Sequence, residues 1–253
     1  DGKKGLNWYD YGARHYDAAL GRFTTNDRFS EKYHSLSPYQ YGANNPVNTI
    51  DINGDSLLIV TPAAIEAIYN GLQDGSNIKM QFNNGILDPT SIAKQANSSN
   101  DFFLKDLFEI ANSEKMVELS LSDKNTHKMN GKTVEETFGT PYDDDDSEIP
   151  AHQKEEYSKA GVPFGKHIQG NLGQTLVPDK RLASGKSSTN SHVQVIINKN
   201  GTLNHRTVGI AHEFGHVILY LRNVPFSHGQ PGVNNFIYNK RADVMSKRLG
   251  YDY

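Results

Sequence analysis

The segment GIAHEFGHVILYLR, at residues 209–222, constrains the fold of this chain more than any other segment. Apolar residues surround two histidines that are four positions apart. Because residues i and i+4 lie on one face of a helix, His212 and His216 can direct their imidazoles at a single point. The sequence therefore predicts a buried helix over about 207–222 that carries half of a metal site.

A glutamate, Glu213, directly follows the first histidine and completes the pattern HExxH of zinc-dependent hydrolases. Composition alone predicts on the order of 0.02 chance occurrences of this pattern in the chain. We predict that His212 and His216 bind one Zn2+ ion and that Glu213 acts as general base and later proton donor. Gly215 lies between the two histidines and is a poor helix former, which predicts close packing against this turn.

A catalytic zinc ion needs a third protein ligand besides the two histidines. No glutamate follows Glu213, and Leu219 stands where the extended pattern HExxHxxGxxH requires glycine, so two zincin classes are excluded. Two candidates remain. His228 lies in a loop after the helix, where Gly229 would permit the backbone turn that points it inward. Asp243 lies in the last predicted helix, and a ligand other than these two also stays open.

Several other residues near the motif could contribute to a peptidase site. A strand predicted at 192–201 stands where zincins place an edge strand that pairs with substrate, although a core strand explains the pattern equally well. Tyr220, Tyr238 and Tyr251 could donate a hydrogen bond to an oxyanion, but packing is the more frequent role of such residues. We interpret His205, just after the strand, as a surface residue.

From residue 55 onward, strand-like and helix-like segments alternate, which predicts an α+β fold with a mixed sheet. The polar segment 123–190 shows few clear elements. Predicted strands lie at 56–61, 78–82, 116–122 and 192–201, and predicted helices at 62–75, 100–115 (with Asn100 as the N-cap), 207–222 and 236–250.

The first 54 residues differ from the rest in being dense in Tyr, Gly, Asn, Asp and Arg. This composition predicts short strands joined by tight turns, with a hairpin corner at Gly21. Such a segment has too little apolar surface to fold alone. Because the chain begins in mid-motif, we predict that it is the C-terminal part of a longer polypeptide.

Two stretches of this segment, WYDYGARHYDAALGRFTTNDRF at 8–29 and SPYQYGANNPVNTIDINGD at 37–55, resemble the C-terminal edge of the Rhs/YD-repeat core. In that family, tyrosine-rich repeats build a large β-cocoon, and a variable toxin domain follows it. The resemblance implies a core edge at 1–54, attached to an N-terminal repeat shell, and a toxin or effector domain at 55–253. It also implies secretion or cell-surface display, delivery to a target cell and a cognate immunity protein.

Many members of this family cleave themselves at the end of the core, using aspartates in two DPxG-like sequences. The matching positions here read DRFS at 27–30 and DING at 51–54. Both aspartates are kept, but both prolines and the first glycine are replaced. We therefore interpret Asp27 and Asp51 as turn residues of a degenerate self-cleavage pair.

A second resemblance covers the stretch HEFGHVILYLRNVPFSHG at 212–229. It resembles SprT-like metallopeptidases, in which a short loop and a third histidine followed by glycine come after HExxH. This resemblance implies that His228 is the third zinc ligand, and we favour it over Asp243.

The bulk composition excludes several classes of protein. With a net charge of -3 and a pI near 6.4, the chain has no net positive charge that would attract nucleic acid. Zero cysteines exclude disulfides and thiolate ligands. No apolar run is long enough to span a membrane. We predict a zincin-like zinc metallopeptidase that acts on protein or peptide. The alternatives are a non-catalytic cell-surface or adhesion module with structural or no zinc, and a metal-dependent hydrolase of another substrate.

Overall fold

The structure of the chain is a computed structural model that describes most residues from 57 onward and a smaller part of the N-terminal segment. Asp27 and Asp51 lie outside the described residues, as does the predicted domain boundary at residue 54. The described residues are 8–10, 14–26, 37–39, 57–59, 61–73, 75–83, 85–145, 150, 152, 155, 159, 165–178 and 185–252.

The described N-terminal residues form an antiparallel sheet of three short strands, β1 (Trp8–Asp10), β2 (His15–Asp17) and β3 (Arg22–Phe23). The turn between β2 and β3 contains Gly21 at a φ of 67°, a left-handed conformation that glycine adopts without strain. The predicted short strands and the hairpin corner at Gly21 are confirmed in this stretch.

The remaining described strands form one large sheet and two two-stranded sheets. The large sheet has the order β12-β13-β7-β4-β6-β5, and the two-stranded sheets are β8-β9 and β10-β11. The strands are β4 (Leu57–Ile59), β5 (Phe82–Asn83), β6 (Ile86–Leu87), β7 (Val117–Ser122), β8 (Lys124–Met129), β9 (Lys132–Thr137), β10 (Tyr142–Asp145), β11 (Lys166–Gln169), β12 (Gly173–Leu176) and β13 (Val193–Asn198).

The large sheet is mixed, because β7 runs parallel to both β4 and β13, whereas β12 and β6 are antiparallel to their neighbours. The described helices are α1 (Pro62–Gly71), α2 (Thr90–Ser98), α3 (Phe102–Ala111), α4 (Leu203–Leu221), the π-helix (Asn235–Ala242) and α5 (Asp243–Arg248), besides a 3-10 turn at Gly75–Asn77. The long helix α4 packs against β12 and β13 and contacts α1, α3, α5 and the π-helix. The predicted α+β class with a mixed sheet is confirmed.

The largest apolar cluster lies between the sheet and the helices. Phe214 on α4 is fully buried and stacks on Phe103 of α3, with ring centroids 6.0 Å apart. Ile210 on α4 and Leu119 on β7 belong to the same cluster. Burying side chains of this size stabilises the fold by about 1.5–3 kcal/mol each. Helix α4 is therefore held rigidly by its neighbours, as a site built on it requires.

Several sequence-based element boundaries are wrong. Asp101, not Asn100, caps α3 by accepting a hydrogen bond from the N–H of Phe103. Residues 78–81 are not a strand, and α1 ends at Gly71 rather than at residue 75. The final predicted helix is a π-helix followed by α5. Five strands, β8 to β12, lie within the segment 123–190, where polar composition showed few elements.

The start of α4 also differs from its prediction. The helix begins at Leu203, with Thr202 and His205 forming a reciprocal capping box. His205 is 2% exposed rather than a surface residue. Its Nε2–H donates to a carboxylate oxygen of Asp143 on β10 at 2.6 Å, so β10 anchors the first turn of α4.

The predicted strand at 192–201 is confirmed as β13, and of the two positions left open for it, edge or core, the structure shows the core position. β13 lies between β7 and β12, and all its backbone pairs are within the sheet. In the part of the chain that the structure describes, the edge next to α4 is β12. None of the described helices has the length and apolar character that a membrane crossing requires.

Candidate metal centre

Three histidine side chains converge where α4 meets the loop that follows it. His212 and His216 are one turn apart on α4, and His228 lies in the loop before the π-helix. The Nε2 atoms are 3.3 Å apart for His212–His216, 3.2 Å for His212–His228 and 3.1 Å for His216–His228. A tetrahedral zinc ion with Zn–N distances of about 2.0–2.1 Å holds its ligand nitrogens about 3.3–3.4 Å apart. The triangle of nitrogens therefore fits zinc.

The local environment keeps two of these imidazoles neutral. Burial, together with the neighbouring imidazoles, lowers the pKa of His212 to about 3. Burial also lowers the pKa of His216 to about 4, against the opposing effect of its hydrogen bond to Phe226. Because a metal binds the neutral ring, both residues are in the required protonation state at neutral pH.

Hydrogen bonds to the other ring nitrogens orient two of the histidines. The Nδ1–H of His216 donates to the carbonyl oxygen of Phe226 at 2.5 Å, and that of His228 donates to Oδ1 of Asn234 at 3.0 Å. Donation from Nδ1 leaves the lone pair of Nε2 free and directed at the cluster. Gly229 has a φ of 82° and its N–H also contacts Asn234, which agrees with the predicted turn at this glycine.

We expect Asn234 to tune the affinity of the cluster for zinc. Asn234→Leu removes the acceptor of the His228 Nδ1–H and should weaken zinc binding by about 10- to 100-fold. Asn234→Asp keeps an acceptor and should bind zinc at least as tightly as the parent chain. Competition against a chromogenic chelator measures both affinities. Equal affinities of the two variants would show that this hydrogen bond does not orient His228.

The glutamate of the motif is buried beside the cluster. Glu213 is 6% exposed, and its Oε2 accepts a hydrogen bond from Oγ1 of Thr175 on β12 at 2.7 Å. Burial raises the pKa of Glu213 to about 7, while the hydrogen bond from Thr175 opposes the shift. A carboxyl group with this pKa can exchange a proton near neutral pH, as a general base must.

A glycine on β12 allows this glutamate to lie close to the strand. A Cβ atom at Gly173 would lie 3.1 Å from Cγ of Glu213 and 3.0 Å from the carbonyl oxygen of Ile196. Neither Gly173 nor Thr175 was identified from the sequence. A glycine within a strand is a signal for close approach, but only the tertiary contact shows what approaches.

Close packing also occurs at Gly215, as its position between the two histidines predicted. A Cβ atom there would lie 2.8 Å from Cδ1 of Ile237 on the π-helix. The π-helix therefore packs directly over the HExxH turn. A π-helix is rare and frequently marks a functional site. Here the N–H of Asp243 bonds to the carbonyl oxygen of Tyr238, five residues earlier.

The three candidate tyrosines have different environments. Tyr220 is 3% exposed and packs on Phe226, and Tyr251 donates its hydroxyl hydrogen to Asp143. Tyr238 stacks on His228, with ring centroids 5.1 Å apart and an interplanar angle of 24°, and is 42% exposed. Of the three, only Tyr238 lines the cavity at the histidine cluster.

This cavity has a volume of about 570 Å³, which is sufficient for several residues of a peptide. It contains all three histidines, the general-base candidate and part of β12. The described residues that line it are Ile168, Gly170, Asn171, Leu172, Gly173, Gln174, Thr175, Lys186, Val208, His212, Glu213, His216, Ser227, His228, Tyr238, Ala242 and Asp243.

The structure separates the two candidates for the third ligand. His228 places a ring nitrogen within 4.8 Å of the ligand atoms of both other histidines, whereas Asp243 is not part of that group. Asp243 lies at the start of α5 and lines the same cavity. Zinc binding by His212, His216 and His228 stays a prediction, and the geometry favours it.

Comparisons with known proteins bear on a small part of the chain. No protein-family model matches the chain, and no solved structure matches it. A stretch of 72 residues, 27% of this chain, is 39% identical to salivary gland surface protein 1 of Aedes aegypti. This stretch spans 2% of the length of that protein, so the similarity is local.

Proposed function

We propose that residues 55–253 form a zincin-like zinc metallopeptidase. The observation that carries this proposal is the convergence of three Nε2 atoms next to a buried glutamate, in a cavity that also contains a sheet edge. A bound zinc ion would polarise the scissile carbonyl and lower the pKa of a water molecule to about 7. His212, His216 and His228 would hold the ion.

Glu213 would hold the attacking water by its carboxylate and accept the proton of that water. It would then donate this proton to the leaving amine. Thr175 keeps the carboxylate in place through a hydrogen bond of 2.7 Å. Tyr238, stacked on His228 at the open side of the cluster, is the residue that could donate a hydrogen bond to the carbonyl oxygen as negative charge develops there.

Strand β12 offers the edge on which an extended substrate would lie. The N–H of Asn198 donates to the carbonyl oxygen of Leu172, and hydrogen-bonded pairs alternate along an antiparallel ladder. Main-chain groups of Gln174 and Leu176 therefore face β13, whereas those of Gly173 and Thr175 point outward. A peptide adding to this edge would lie along the cavity beside Glu213.

The wider context of this peptidase is also a proposal. The resemblance of residues 1–54 to an Rhs/YD-repeat core supports a role as the C-terminal effector or toxin domain of a secreted or cell-surface repeat protein. Its substrate would be a protein or peptide in the target cell, and its partners the repeat shell and a cognate immunity protein. The alternative is a non-catalytic surface module, which agrees with the name of the locally similar mosquito protein.

Metal analysis separates these two functions. We expect the purified chain to retain close to one zinc ion and to melt about 10 °C lower after chelation, because zinc binds the folded state. Elemental analysis and a thermal melt with and without a chelator measure both quantities. Absence of zinc, with a melting temperature that chelation does not change, would favour the non-catalytic module.

A further inference from the structure

A carboxylate that the proposed chemistry does not use lies in the same cavity as the histidine cluster. Asp243 begins α5, directly after the π-helix, and its side chain is half-buried. Asp243 lines this cavity together with Tyr238 and the three histidines. The Asp243 carboxylate is therefore a charged group of the cavity that contains the proposed reaction centre.

The other charged groups of the cavity are already occupied. Lys186 bonds to Glu136 on β9 at 2.5 Å, so its positive charge is compensated from outside the cavity. Glu213 accepts the hydrogen bond from Thr175. Among the described residues, no cation lies within ion-pair distance of the Asp243 carboxylate, and the exposed Lys247 one turn later acts on it only at longer range. Among the described residues of the cavity, Asp243 thus offers a carboxylate that no cation pairs with and that the proposed chemistry does not use.

The walls of the cavity are partly apolar, which suits a ligand that has an apolar stem and a charged end. Ile168, Leu172, Val208 and Ala242 line it with apolar surface. A Lys or Arg side chain combines an apolar stem with a cationic head, and it could bury the stem against such walls while the head reaches a carboxylate. An acidic side chain would instead meet like charge from Asp243.

We propose that the cavity contains a subsite for a basic substrate residue next to the scissile bond, in which the Asp243 carboxylate binds the cationic head of Lys or Arg. This assignment rests on the proposed peptidase function and specifies its substrate class. It also gives Asp243 a role in the site other than that of a metal ligand.

A matched pair of peptides tests the subsite. Both are eight-residue alanine peptides with blocked ends, and they differ only in a central lysine or its uncharged analogue norleucine. The zinc-loaded chain should cleave the lysine peptide next to the lysine with a kcat/KM about 5- to 10-fold above that for the norleucine peptide. Mass spectrometry identifies the bond that is cleaved.

Variants of the chain assign the preference to a residue. Asp243→Asn should reduce the lysine preference to less than about 2-fold while zinc content stays at the parent value. Asp243→Lys should reverse the charge preference, so that a third peptide with a central glutamate is cleaved faster than the lysine peptide. Lys247→Gln removes the neighbouring exposed charge and should keep the lysine preference. A preference that persists in Asp243→Asn, or is absent from the parent chain, would overturn the assignment.

Binding without catalysis distinguishes failure of the subsite from failure of the peptidase. Fluorescence anisotropy of labelled peptides on Glu213→Gln protein should show tighter binding of the lysine peptide, and adding Asp243→Asn should remove this difference. Selective binding without any cleavage by the parent chain would uphold the subsite and overturn the peptidase. Cleavage without selectivity would uphold the peptidase and overturn the subsite, and neither binding nor cleavage would overturn both.

Discussion

Replacing Glu213 with glutamine is expected to lower peptide cleavage by about 10²- to 10⁴-fold while zinc content and melting temperature stay near those of the parent chain. An amide oxygen can still accept the hydrogen bond that Thr175 donates at 2.7 Å, so the buried side chain keeps its packing. The amide cannot accept a proton from water, which removes the general base. Cleavage of the lysine peptide, followed by mass spectrometry, measures the loss.

Glu109→Gln is the matched control for this substitution. Glu109 lies on α3 and pairs with Arg222 at 2.7 Å, away from the cavity. The control should cleave at the parent rate, and expression in a sensitive cell should be toxic for the parent and the control but not for Glu213→Gln. Retained cleavage or toxicity in Glu213→Gln would contradict the proposal that Glu213 is the general base.

Replacing His228 with alanine is expected to weaken zinc binding by more than about 100-fold, because it removes a direct ligand rather than a residue that only orients one. The Nε2 atoms of His212 and His216 would remain, but two protein ligands leave a catalytic zinc site incomplete. Competition against a chromogenic chelator measures the affinity. Peptide cleavage should be lost together with the metal.

Two further variants make this result specific. Asp243→Ala should keep zinc, because Asp243 is not part of the three-histidine group. His192→Ala removes a histidine that pairs with Glu118 at 2.6 Å outside the cavity, and it should also keep zinc. Loss of zinc from Asp243→Ala, with retention by His228→Ala, would instead show an Asp-type zincin.

The part of the fold that could be predicted depends on local geometry. The positions of β7, β13 and α4 follow from apolar periodicity, which acts over a few residues. The contacts at Gly215 also agree with prediction, because a glycine within a helix costs about 1 kcal/mol and suggests a compensating contact.

The missed elements depend on pairing between distant segments. Strands β8 to β12 are largely polar, and β9 is largely exposed, so alternation of apolar residues is weak there. Each such strand is stabilised by a partner and not by its own composition. The same reason explains why the sequence left the position of β13 open between edge and core, since the sequence of a strand does not reveal that β12 pairs with it.

The sequence by itself determined that His212, Glu213 and His216 share one helical turn, because the spacing of an α-helix decides which side chains lie together. For the third ligand it offered two named candidates, His228 and Asp243, and left another residue open. Only the tertiary structure showed that His228, and not Asp243, belongs to the three-histidine cluster. The approach of His228 depends on a loop closed by Asn234 and on a π-helix packed over α4, and these long-range contacts have no periodic signature in the sequence.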